Sequence, residues 1–198
     1  MPIKFPLIYW PHIHRIVDAD GDVLRESVEQ FAPGDPLRQV ARASIRWWLE
    51  DQKEFLRGRV LDFGCGRPGT CRVPEPYRDL VSGEYFGVDL GEPVPRQKMF
   101  DAILCTEVIP YVSDVVSLLQ FFRPLLFSCY SPLILTWTAA WPEVEETSLW
   151  RITAAGMRHL LLAAGYTDIE HTCLSAVQLG SNQLAIGHAM IAYCGDWE

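Results

Sequence analysis

The stretch Arg59-Val60-Leu61-Asp62-Phe63-Gly64-Cys65-Gly66-Arg67-Pro68-Gly69 decides how the rest of the chain is read. An apolar run closes on an acidic residue and then on a glycine loop, the arrangement by which a buried parallel strand delivers its C-terminal end to a nucleotide. Gly64, Gly66 and Gly69 stand in G-x-G-x-x-G spacing, which permits a sharp turn and close approach of the main chain to a ligand.

Two carboxylates sharpen the reading. Asp89 closes a second strand-like run, Glu84-Tyr85-Phe86-Gly87-Val88-Asp89, where it can accept hydrogen bonds from both hydroxyls of a ribose. Asp62 precedes the first glycine by two residues. A carboxylate there repels a pyrophosphate and attracts a ligand carrying an ammonium and a sulfonium group, which disfavours a nicotinamide-dependent oxidoreductase.

Three segments carry a family resemblance. Val60 to Gly66, Tyr85-Phe86-Gly87-Val88-Asp89-Leu90 and Phe100-Asp101-Ala102-Ile103-Leu104-Cys105-Thr106-Glu107-Val108 resemble the first, second and fourth motifs of class I S-adenosylmethionine-dependent methyltransferases. Trp150 to Leu161 is similar to the segment before the last helix in the methyltransferase type 11-like subgroup, and Pro76-Tyr77-Arg78-Asp79-Leu80 to a compact element of that subgroup. The resemblance covers roughly residues 40 to 193. It implies a Rossmann-like, doubly wound α/β fold with a mostly parallel sheet and an antiparallel C-terminal strand pair. It also implies S-adenosylmethionine as cofactor, held by Asp62, Gly64, Cys65, Gly66, Asp89, Leu90, Cys105, Thr106 and Glu107.

The chain departs from the family between Asp89 and Phe100. Leu90 to Met99, with Pro93 and Pro95, leaves no room for the usual helix, third strand and acidic residue that reads the adenine amino group. The third strand is therefore expected to be missing. Tyr111 stands where many relatives carry histidine, and Phe127-Ser128-Cys129-Tyr130-Ser131 replaces a common Gly-Gly.

Length and composition bound the rest. A chain of 198 residues suits one core that buries roughly 70% of the unfolded surface. The expected organisation is an N-terminal extension or lid over 1–34 and a single domain over 35–198. No run approaches the roughly 20 apolar residues of a membrane span, and no signal-peptide zones open the chain, so a soluble cytoplasmic protein is expected. Six cysteines without a C-x-x-C pair read as reduced, mostly buried thiols. A net charge of −8 weighs against a polyanion partner, so no nucleic acid is expected, and a homodimer is left open. His12-x-His14 supplies two ligands where a metal needs more, and Asp18-Ala19-Asp20-Gly21-Asp22 lacks the closing glutamate of a calcium loop. No metal is expected.

Local signals place the elements. Asp35 and Pro36 open a helix that reads to about Arg57 with Gly58 as its stop, and Leu37, Ala41, Ile45 and Trp48 form its apolar stripe. Arg38, Arg42, Arg46 and Glu50 read as its solvated face. Ser113 or Asp114 caps a helix that Pro124 ends, and Thr153 caps another stopped by Gly165. Pro132 to Trp137 reads as a strand, and segments near 167–176 and 184–194 as the final pair.

The function these features support is methyl transfer to a small molecule, at an oxygen or nitrogen of a sugar-like or secondary metabolite. Glu107 and Tyr111 are the candidate catalytic residues, Tyr111 leaning toward shaping the acceptor because a phenol of ordinary pKa near 10 is a weak base. Trp141 and Arg151 are the candidate substrate contacts, and Glu143, Glu145 and Glu146 lie on a loop long enough to overhang the site. The alternative is a methyltransferase-like module that no longer catalyses and serves to bind a partner.

Overall fold

The computed structural model describes residues 6–10, 15–17, 19–20, 36–67, 75–95, 99–139, 149–179 and 181–195. In chain order these form β1 (Leu7–Trp10), β2 (Arg15–Val17), α1 (Pro36–Asp51), β3 (Arg57–Phe63), β4 (Ser82–Val88), β5 (Ala102–Thr106), α2 (Val115–Phe122), β6 (Leu133–Thr138), α3 (Ala154–Ala163), β7 (Tyr166–Leu179) and β8 (Asn182–Cys194). The strands make one sheet in the order β2-β1-β7-β8-β6-β5-β3-β4. β4, β3, β5 and β6 run parallel, while β8 lies antiparallel to both β6 and β7. The two strands of the N-terminal segment extend the edge opposite β4.

The order follows from the residues. β5 and β6 are buried along their whole length and β3 from Val60 to Phe63, as central strands covered on both faces must be. One face packs Leu61, Ile103, Leu133 and Leu135 against α2 and α3. The other packs Val60, Ala102, Leu104 and Ile134 against Ile45 and Trp48 of α1. Because β3 has β4 on one side and β5 on the other, the strand order reverses at β3 although all three strands run parallel. Open α/β sheets bind ligands outside the carboxyl ends of strands at such a reversal.

The expected third strand is absent among the described residues, where β4 forms the edge of the sheet. A parallel crossover of a dozen or so residues or fewer cannot carry both a strand and a helix. The caps fall as predicted: Asp114 accepts the Ser117 N–H at 3.0 Å, and Thr153 accepts that of Gly156 at 3.1 Å. One boundary differs. α1 ends at Asp51, a 3-10 turn over Lys53–Phe55 follows, and Gly58 lies inside β3 at φ +71°. The turn swings Leu56 into the core, and Gly58 gives the strand room beside Asp101, whose carboxylate accepts the Arg59 N–H at 2.7 Å. The predicted glycine stop is thus a packing glycine.

Candidate cofactor site at the strand ends

β3 ends on Asp62 and Phe63, and strand alternation turns Phe63 toward α2 and Asp62 toward the α1 face. Asp62 is fully buried. Its Oδ2 accepts the Tyr85 hydroxyl at 2.7 Å, and its Oδ1 has no hydrogen-bond partner. Burial pushes its pKa up to about 6, with the Tyr85 bond opposing and the Glu75 carboxylate adding to the rise. A buried carboxylate oxygen left without a donor is costly unless a ligand supplies one.

The loop beyond turns by the conformations only glycine adopts readily. Gly64 has φ +81° and Gly66 φ +72°, and the Gly64 N–H donates to the Val88 carbonyl at 2.7 Å. A Cβ on Gly64 would run into Val108, so this glycine also lets the loop after β5 close against the loop after β3. Gly69 lies outside the described residues. Cys65 is buried with its thiol pushed up to about 11, first by burial and then by Asp62; the Asp89 carboxylate adds to the rise. Both carboxylates therefore bear on this thiol electrostatically.

Asp89 follows β4 half-buried, its Oδ1 accepting the Leu90 N–H at 2.9 Å, while the Leu90 side chain is exposed. Arg67 and Glu92 form a bidentate pair at 2.9 and 2.6 Å across this end of the sheet. The Arg67 guanidinium also donates to the Gly87 carbonyl at 3.0 Å, and Glu92 accepts the Asp89 N–H at 2.9 Å. A hollow of about 460 Å³ opens beside them, lined by Phe63, Pro93, Val94, Leu118 and Phe121 together with Glu92.

β5 brings the second half of the site. Cys105 is fully buried on the α2 face, so only its main chain borders the strand ends. Thr106 is buried, and Glu107 leaves the strand at φ +57°, a conformation that strains a non-glycine residue and marks functional turns. Its Oε2 accepts the Thr138 hydroxyl at 2.7 Å. Burial raises the Glu107 carboxyl, opposed by the Thr138 bond and the Arg42 charge. The Tyr77 hydroxyl is raised by burial, then by Glu107 and Asp62, while Arg42 opposes. Asp62, Glu107, Tyr77 and Arg42 thus bear on one another electrostatically: a buried and a half-buried carboxylate, a buried phenol, and a guanidinium on the exposed face of α1.

The candidate acceptor residues sit differently. Tyr111, in the 3-10 turn Ile109–Tyr111, is 44% exposed. Leu149 donates to the Pro110 carbonyl at 2.7 Å and the Trp150 indole to the Val112 carbonyl at 2.6 Å, strapping 149–150 onto that turn. Arg151 is exposed beside it, bonding the Trp150 carbonyl at 3.1 Å. Trp141, Glu143, Glu145 and Glu146 lie outside the described residues, as do His12 and His14. No three His, Cys, Asp or Glu side chains among the described residues group as a metal site.

Sequence reasoning passed over Arg42, Arg67, Tyr77, Tyr85 and Glu92. Tyr85 stands two residues before Gly87, the register partner of Asp62, and so shares its face, a signal that exists only once β3 and β4 are paired. Arg42 carried none beyond its place on a polar helix stripe.

No family model matches the sequence, and no curated protein matches it. Solved structures do share the fold. The carbon methyltransferase of CurJ is 14% identical with a TM-score of 0.52, over 80% of this chain and 56% of that one. An S-adenosylmethionine-dependent methyltransferase from Mesorhizobium loti is 13% identical at TM-score 0.51, over 75% of this chain and 97% of that one. A putative one from Listeria monocytogenes is 11% identical at 0.51, over 78% and 100%. At such identities the likeness is one of fold, and this chain spans little more than half of the CurJ structure.

Proposed function

We propose that the chain is an S-adenosylmethionine-dependent methyltransferase acting on a small molecule. The observation that carries the reading is the buried Asp62 with one oxygen unclaimed, standing beside a glycine loop at a strand end next to the one that Asp89 follows. These residues fit the cofactor. Asp62 Oδ1 meets the ammonium, Asp89 the ribose hydroxyls, and Arg42, which bears on Glu107 and Tyr77, the carboxylate. Gly64, Cys65, Gly66 and Leu90 border the ligand, and Cys105, Thr106 and Glu107 line the opposite strand end.

The cofactor supplies a methyl group on a positively charged sulfur. The chain's own residues position and deprotonate the acceptor. Alignment of donor and acceptor can supply roughly 7 to 11 kcal/mol of the barrier. Glu107, with a pKa raised by burial, is the group suited to take a proton from an acceptor oxygen or nitrogen. Tyr111 shapes the acceptor, with Trp141 and Arg151 as further contacts. A sugar-like or secondary metabolite suits this site, and the protein works in the cytoplasm. Incubation with methyl-labelled S-adenosylmethionine and a panel of hydroxyl- and amine-bearing small molecules tests the reading. Labelled product together with S-adenosylhomocysteine is expected. Absence of any cofactor binding overturns it.

A further inference from the structure

Val88 accepts the Gly64 N–H, so its main chain faces β3. Alternation then turns the Gly87 carbonyl and the Asp89 N–H to the outer side of β4, where the missing strand would have bonded them. Both groups are nonetheless satisfied by side chains. The Arg67 guanidinium donates to the Gly87 carbonyl at 3.0 Å, and Glu92 Oε2 accepts the Asp89 N–H at 2.9 Å. The two side chains are joined to each other in a bidentate pair, so donor and acceptor are held at a fixed spacing along the edge.

We infer that the Arg67–Glu92 pair replaces the third strand and is the positioning device that fixes Asp89 for a ribose. The inference rests on the cofactor reading above. Arg67 comes from the glycine loop and Glu92 from the turn after β4, so the pair ties together the two loops that would hold the ends of one ligand. The network continues inward. Glu75 lies 3.5 Å from Arg67 and 2.9 Å from Arg78, and Arg78 sits over the ring of Tyr85, the phenol bonded to Asp62. Glu92 remains ionised well into acid, its pKa drawn down to about 2 by Arg67 and then by the Asp89 N–H. An open edge strand also invites pairing with another chain, and charged side chains on the edge oppose it.

The test is calorimetry on the full chain with S-adenosylhomocysteine and its 2′,3′-dideoxy analogue, alongside hydrogen exchange at the Asp89 amide. Glu92→Ala is expected to weaken S-adenosylhomocysteine about tenfold or more, the loss expected of a displaced charged acceptor. The analogue, which has no hydroxyls for Asp89, should bind the variant as it binds wild type. The Asp89 amide should exchange faster in the variant, and Glu92→Gln, which keeps an acceptor, should fall between. Equal losses for both ligands, or an unchanged Asp89 exchange rate, overturn the inference. If wild type binds neither ligand, the cofactor reading fails, and the exchange rate alone then decides whether the pair caps the edge.

Discussion

Asp62 is held in a state the fold alone does not favour. Its pKa of about 6 lies roughly two units above the ordinary value, worth about 2 to 3 kcal/mol between its two protonation states. The folded carboxyl is raised, so its stabilising proton is fully present below the unfolded pKa near 4 and lost as pH rises through 6. At neutral pH the ionised group therefore costs stability. Asp62→Asn is expected to raise the melting temperature by several degrees at pH 7.5, read by calorimetry, while removing most affinity for S-adenosylhomocysteine. A variant both less stable and equally able to bind would contradict this role. The same titration predicts that affinity holds from pH 8 to about 6.5 and falls below 6, as Asp62 is neutralised.

This residue was legible early because its type, spacing and strand position agree. What escaped the sequence was its company. Tyr85 reads as an ordinary strand aromatic, and Arg42 as one of four charges on a solvated stripe. Nothing local tells that the turn at Tyr77, held through Arg46 bonds to Asp79 and the Pro76 carbonyl, will bury a phenol under the charges of Glu107 and Asp62.

Among the elements, the connections after β3 and β5 determine the site. Gly64 and Val108 interlock across the reversal in strand order, so Gly64→Ala must strain a φ of +81° and displace Val108. The expected result is a loss of about 1 to 3 kcal/mol in denaturant unfolding, partly relieved when Val108 is also cut to Ala. Equal unfolding of Gly64→Ala with and without the Val108 truncation would deny the interlock. The cap of α2 is a simpler case. Asp114→Ala removes bonds to the Ser117 N–H and hydroxyl and should lower the melting temperature by roughly 2 to 4 °C.

Elements of strong pattern were readable: the apolar run ending at Phe63, the strands read at 100–105 and 132–137 and found at Ala102–Thr106 and Leu133–Thr138, both caps, and the shortage of residues for a third strand. The end of α1 was not. A glycine in αL conformation serves a helix stop and a strand crossing equally, and only the packing of Asp101 decides between them. The Arg67–Glu92 pair was unreadable for a related reason, because its purpose exists only once β4 is known to be an edge.

For the molecule as a whole, the strand order reverses between the parallel β3 and β5, and the groups argued for the cofactor, Arg42 of α1 apart, lie at that reversal or one strand away. Two buried groups set its acid response in opposite senses. His188, stacked on Trp137 at 5.2 Å and bonded to His171 at 3.1 Å, is lowered to about 4 by burial and then by His171. A lowered histidine contributes stability present above its unfolded pKa near 6.5 and lost as pH falls through 4, whereas Asp62 gains over nearly the same window. Among the described residues no helix is long and apolar enough to cross a membrane.

The proposal stands on selection of a cationic nucleoside over a diphosphate by carboxylates at two neighbouring strand ends. Isothermal titration of the wild-type chain with S-adenosylmethionine and, separately, with NAD tests it most directly. The account predicts saturable binding of the former, lost on Asp62→Asn and on Asp89→Ala, and no heat from the latter. Binding of NAD, or silence with S-adenosylmethionine at millimolar concentration, would contradict it.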